Sequence, residues 1–185
     1  HFFAYNSESN GLQIRLFAGT FLWKANNFTN ADDVRFRLSG QTGSQDYLFD
    51  DIFIGRQEIT GFWSKQMTES DGAFKVYSGR GQTLDYLIAL NLKSGIIKNV
   101  PIRLFADFGH YLNAEGDRDA LNYCAGAVLS FIPEAFEVYF PFMTSRQIQS
   151  TMELNPATKK YGERIRFVLN IKLANPVHIL RNLEI

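Results

Sequence analysis

In the stretch ERIRFVLNIKL (163–173), Ile165, Phe167, Leu169, Ile171 and Leu173 alternate with Arg166, Val168, Asn170 and Lys172. A strand sends successive side chains to opposite faces, so this pattern predicts one apolar face and one charged face. The same period of two recurs along the chain. In 11–23, Leu12, Ile14, Leu16 and Ala18 oppose Gln13, Arg15 and Phe17. In 34–40, Val34, Phe36 and Leu38 oppose Arg35, Arg37 and Ser39. Residues 85–93 place Tyr86, Ile88, Leu90 and Leu92 on one face, and 101–109 set Ile102, Leu104, Ala106 and Phe108 against Arg103, Phe105 and Asp107. Stretches 121–132 and 135–142 continue the series, and YLFDDIFIG, GFWSKQM and AFKVY within 47–79 read as further short strands. SRQIQSTMEL (145–154) is the one stretch with a helical pattern.

The expected fold is therefore all-β: an antiparallel up-and-down β-barrel of roughly eight to ten strands, with a soluble β-sandwich or lipocalin-like barrel as the alternative. Residues 1–185 read as a single β-barrel domain, the C-terminal fragment of a longer chain that opens mid-pattern at HFFAY. Arg15, Arg35, Arg37, Lys93, Arg103, Asp107, Glu137, Arg166 and Lys172 all sit mid-strand. A soluble sheet would turn such a face to water, whereas a membrane barrel would turn it to the lumen and give its apolar face to lipid. The apolar faces run nine to eleven residues with almost no charge, the length a tilted membrane strand needs. Short links such as IPEA and long ones such as NAEGDRDA also suit a membrane barrel.

Composition sharpens this picture at two points. Aromatics make up 15% of the chain, with 17 Phe and 8 Tyr, and they favour strands and the interfacial girdles of barrels. Phe21 with Trp23, Phe140 with Phe142, and Phe105 with Phe108 are read as such girdle pairs near strand ends. The 19 basic and 19 acidic side chains cancel, which argues against a nucleic-acid partner. No apolar run is long enough for a transmembrane helix.

Three segments, 47–77, 87–111 and 129–182, together resemble the C-terminal region of large Bacteroidota proteins of the gluzincin type. These are M1-like metallopeptidases whose catalytic part is followed by an outer-membrane barrel. PIRLFADFG and FEVYFPF are also similar to the last strands of surface-antigen (Omp85-like) barrels. The resemblance implies a bacterial outer-membrane location, contact with the lipid bilayer, and a role as anchor or platform for upstream or associated protein domains. A small pore or transport module is the second expectation, and a soluble barrel binding an apolar ligand the third. Two features depart from that family: the chain ends RNLEI without a terminal aromatic, and it has no H-E-x-x-H zinc helix. His1, His110 and His178 are scattered, so the chain itself is not expected to be an enzyme or to hold a cofactor.

The interior charges are the candidate site: Arg15, Arg35, Arg37, Arg103, Asp107, Glu137, Arg166 and Lys172 form an expected lumen network. Arg103 and Asp107 are four residues apart on one strand, about 13 Å along it, and too far to pair. Arg166 and Glu137, on later strands, are the partners expected for Asp107 and Arg103. A filled, structural lumen is favoured over a wet pore, because a narrow barrel leaves little room for water. Asn113, Glu115, Asp117 and Asp119 form an oxygen-rich loop, a calcium candidate without EF-hand spacing. Asp50, Asp51 and Glu58 read as rim charges rather than a catalytic pair, and Cys124 as a small packing residue. Phe62–Trp63 reads as a girdle element, and DGAFK as a tight Asp-Gly turn.

Overall fold

In the computed structural model, residues 2–7, 10–22, 35–46, 48–78, 81–95, 100–112, 121–132, 135–156 and 158–170 are described. The strands are β1 (Phe2–Ser7), β2 (Asn10–Thr20), β3 (Phe36–Arg37), β4 (Gln66–Met67), β5 (Gln82–Thr83), β6 (Tyr86–Gly95), β7 (Ile102–Tyr111), β8 (Asn122–Ile132), β9 (Phe136–Thr144) and β10 (Arg166–Leu169). One helix, α1, spans Arg146–Leu154. Eight strands make one sheet in the order β1-β2-β6-β7-β8-β9-β10-β4, and β3 pairs with β5 in a second. All neighbours in the large sheet are antiparallel except β10 and β4.

The large sheet is curled. Lys93 Nζ on β6 lies 2.5 Å from Glu137 Oε2 on β9, although β7 and β8 stand between them. Three strand spacings in a flat sheet come to about 14 Å, so the contact requires a concave face. The all-β, barrel-like expectation therefore holds, and the described wall is a half-barrel with β1 and β4 at its edges.

Register lines up the concave face in rows. Arg15, Asn91, Asp107 and Cys124 are successive cross-strand partners. Gly95, Arg103, Val128, Tyr139 and Arg166 form another row. Between Ala125 and Gly126 the pairing of β8 with β9 shifts. Pro141, which has no N–H to give the ladder, lies at that irregularity, as the chemistry of a mid-strand proline demands.

The described residues between β2 and β6 form an insert that fills the concavity and lends β4 to the edge of the wall. Here the expected short strands shrink: 48–55 forms turns and bends, GFWSKQM keeps only β4, 35–40 keeps β3 and a bridge at Ser39, and AFKVY keeps only the Phe74 end of that bridge. Backbone bonds inside the insert take the place of a ladder, with Leu38 donating to Gly81 O, Phe74 to Leu38 O and Thr68 to Gln41 O. Its apolar residues Leu38, Met67, Phe74 and Val76 join wall residues Leu87, Phe105, Val128 and Tyr139 in one buried cluster. Cys124 belongs to that cluster, a packing residue as expected. At Gly109 on β7 the insert packs against the wall so closely that an added Cβ would stand 2.5 Å from Leu38 Cδ1 and 3.0 Å from Phe74 Cε1.

Helix α1 caps one end of this core. Ser145 holds an extended backbone before the first turn, and Ile148 and Met152, one helical turn apart, are both buried in the core cluster.

Candidate functional site

Alternation decides what the wall shows to each side. Along β6 the inward residues Leu87, Ala89, Asn91, Lys93 and Gly95 are buried, while Ile88 is half exposed. Along β7 Arg103, Phe105, Asp107, Gly109 and Tyr111 are buried, and Ile102, Leu104 and Phe108 are exposed. Leu16 on β2, Phe131 on β8 and Phe142 on β9 are likewise exposed on the outer side. The wall is thus inverted relative to a soluble sheet: charges are inside and apolar side chains outside. The faces assigned to 11–23, 85–93 and 101–109 from periodicity match this arrangement.

One girdle assignment fails. Phe105 points inward, where it packs edge-on against Tyr139 at 5.4 Å, because its strand phase matches Asp107 rather than Phe108. Phe21 packs on Phe36 of the insert at 4.5 Å, and Trp23 lies outside the described residues. On β10 the alternation is hidden. Phe167 is buried because Phe62 stacks on it at 4.8 Å and Trp63 meets it edge-on at 6.1 Å.

The inward charges form one chain of contacts between wall and insert. Asp107 accepts from the Lys75 backbone N–H at 3.1 Å and from Asn91 Nδ2 at 2.9 Å. The Lys75 ammonium lies 3.8 Å from Asp107 and 3.2 Å from Glu69, and donates to Ala73 O at 2.6 Å. Glu69 is also 3.7 Å from Lys93. Glu137 accepts from Lys93, from Tyr139 Oη at 2.5 Å and from Ser130 Oγ at 2.7 Å. Tyr139 Oη stands 3.0 Å from Glu69 as well, and both ammonium groups lie over its ring. Arg15 Nη1 donates to Asn91 Oδ1 at 2.8 Å and to Asp71 O at 2.7 Å, while Asn91 Nδ2 also reaches Gly72 O. The Asp71–Gly72 turn is therefore held by two wall side chains. Its backbone geometry fits so close a seat, with Asp71 at φ 48° and Gly72 so near Leu38 that a Cβ would stand 2.5 Å from Leu38 O.

Three of the residues named from the sequence enter this chain of contacts. Arg15, Asp107 and Glu137 join it, linked through Asn91, Lys75, Glu69 and Lys93. The expected pairings of Asp107 with Arg166 and of Glu137 with Arg103 do not form. Lys75 holds Asp107 instead, since the insert brings its own charges to the wall, and the curl of the sheet lets Lys93 on β6 join Tyr139 in holding Glu137. Arg103 is buried on the inner face of β7. Arg35 adjoins β3, and the Arg37 backbone N–H donates to Asp71 Oδ2 at 3.1 Å. Arg166 lies over Tyr77. Lys172 and the calcium candidates Asn113, Glu115, Asp117 and Asp119 lie outside the described residues. Sequence reading missed Glu69 and Lys75, whose one signal was their position on either side of the Asp-Gly turn.

Charges in the contact chain balance: Arg15, Lys75 and Lys93 against Glu69, Asp107 and Glu137. Burial opposes ionisation of Glu69, but Lys75 and Lys93 outweigh it and bring its carboxyl down to about 2. For Lys75, desolvation is likewise overcome by Asp107 and Glu69, and its ammonium is held above the usual lysine range. Burial pushes the Asp71 carboxyl up, against the Arg37 N–H and the nearby Arg15 and Arg37 charges. A second clamp lies in the insert itself. Arg56 pairs with Asp46 at 2.7 Å, and Asp46 also accepts the backbone N–H groups of Asp50 and Asp51.

Paired and neutral, the cluster is built to fasten the insert to the wall. Among the described residues, no three His, Cys, Asp or Glu side chains converge on a metal-holding arrangement, and no helix is long and apolar enough to cross a membrane. Comparisons with protein-family models, with curated proteins and with solved structures gave no match.

Proposed function

We propose that this chain is a β-barrel domain of a bacterial outer membrane that anchors, or serves as platform for, a larger protein. The single observation that carries the reading is the inversion of the wall. Outward positions on β2 and β6–β9 are mostly apolar and exposed or half-exposed, while charged side chains are sequestered on the concave side. In water that arrangement exposes a continuous hydrophobic surface across five strands, which a soluble monomer does not sustain. In lipid the same face is at home, and β2 and β6–β9, which carry it, each have a bonded neighbour on both sides. The ends of the strands fit as well: Tyr86 and His110, on adjacent outward positions, stack in parallel, with Tyr86 Oη 3.2 Å from His110 Nδ1. Amphipathic rings of this kind suit the level of the lipid headgroups.

The anchoring role, rather than a pore, follows from the filled interior. A conducting lumen needs hydrated charges along an open path, whereas here the insert occupies the concavity and the central cations are paired. The resemblance of 47–77, 87–111 and 129–182 to barrels that follow metallopeptidases supports an upstream enzyme as the anchored partner. Sedimentation of the purified chain with and without detergent tests the location. A monodisperse species in detergent and association in plain buffer are expected; a stable monomer in plain buffer would overturn the reading. Planar-bilayer recording tests the role, with steady conductance replacing the anchor by the pore.

A further inference from the structure

Arg166 opens β10 on the concave face, opposite Tyr139. It is buried, with 6% of its surface exposed. Its guanidinium lies 5.4 Å from the centre of the Tyr77 ring, and its Nε has no hydrogen-bond partner among the described residues. A cation–π contact satisfies no N–H group, and a buried cation ordinarily has an anionic or carbonyl partner. Beside it opens a cavity of about 620 Å³, bounded by the loop around 42–65 and by the connection from α1 to β10.

The other charges on this cavity show what is missing. Arg56 is committed to Asp46 at 2.7 Å, and Lys65 to Glu163 at 3.0 Å. Lys160 and Glu58 stand exposed on the rim, and Glu163, half-exposed beside Lys65, also lines the cavity and lends Arg166 part of its negative field. Hydroxyl donors complete the lining. Thr42 Oγ1 and Ser44 Oγ lie 3.2 Å apart and share one proton between them, which leaves the other to donate elsewhere.

We propose that this cavity binds a phosphate-bearing molecule, with Arg166 as its buried anchor and Lys160 as the entry cation. A carboxylate offers a guanidinium fork two oxygens, both in one plane. A phosphate carries further acceptor oxygens that suit hydroxyl and ammonium donors arriving from other sides. The volume lies within the range of about 300–1,000 Å³ typical of small-molecule sites, so the phosphate belongs to an organic ligand. Both a soluble phosphomonoester and a lipid headgroup present this chemistry.

Calorimetric titration of the whole chain in a neutral detergent tests the site with two probes, glycerol 3-phosphate and phosphatidic acid in mixed micelles. Glycerol and acetate serve as controls. Saturable binding of at least one phosphate probe is expected, weakened about tenfold or more by Arg166→Gln, the loss of one charge-assisted contact. Lys160→Gln, on the exposed rim, is expected to weaken it several-fold with an unchanged unfolding midpoint, so the site stays testable if Arg166→Gln fails to fold. Binding of glycerol 3-phosphate assigns a soluble ligand; binding of phosphatidic acid alone assigns a headgroup. No binding of either probe, acetate binding as tight as phosphate, or affinity untouched by Lys160→Gln would each overturn the proposal.

Discussion

Asp107 on β7 grips Lys75 twice: one carboxylate oxygen accepts its backbone N–H at 3.1 Å, and the other lies 3.8 Å from its ammonium. A single wall side chain thus fixes both the path and the charge of the insert. Asp107→Ala removes both contacts and leaves Glu69 as the one carboxylate within ion-pair distance of the buried Lys75 ammonium among the described residues. The expected loss is about 3–5 kcal/mol, the range for breaking one side of a buried pair. Asp107→Asn, which keeps an acceptor for the N–H, should lose less. Denaturant midpoints in detergent measure both; equal and negligible losses would mean that the insert is not fastened here.

Glu69 gives the fold an acid-sensitive component. Its carboxyl sits at about 2 in the folded protein, below the ordinary 4.5 that applies once the chain unfolds. A depressed carboxylate stabilises the fold above the unfolded value, and that contribution drains away as pH falls from about 4.5 towards about 2. Subtracting the acid unfolding profile of Glu69→Gln from that of the parent should isolate this decline. Parallel profiles across that window would remove Glu69 from the network.

Gly109 is a place where wall and insert pack too closely for a side chain. Gly109→Val should cost about 1–3 kcal/mol through overpacking against Leu38 and Phe74. Gly162→Ala, where an added Cβ meets nothing within 4 Å, is the matched control and should be near neutral. Thermal midpoints of the two variants decide whether the insert is seated as described.

The wall was legible in the sequence because its chemistry alternates with the backbone. Ile102, Leu104 and Phe108 against Arg103 and Asp107 already state the two faces, whichever solvent each meets. Residues 163–173 show the limit of that reading: the same alternation predicted Phe167 at a lipid face, yet Phe62 and Trp63 cover it. Nothing local to β10 announces a stack contributed from a hundred residues upstream. The insert was unreadable for the same reason. Residues 47–79 have strand-like composition, but their order comes from bonds to one another and from Arg15, Asn91 and Asp107 across the wall. Pairing partners in the charge network depended on that insertion, so Lys75 and Glu69 could be named only once it was seen.

Whether the outer face meets lipid is the central claim, and a nitroxide placed there reads it directly. With Cys124→Ala to remove the buried native thiol, spin labels at Leu16→Cys and Leu104→Cys in bilayer-reconstituted protein report collision with oxygen, which concentrates in hydrocarbon, and with a water-soluble nickel chelate. Both residues are exposed on the outward face. High accessibility to oxygen and low accessibility to the chelate are predicted at both sites. Ready collision with the chelate and shielding from oxygen would put that face in water and contradict the account.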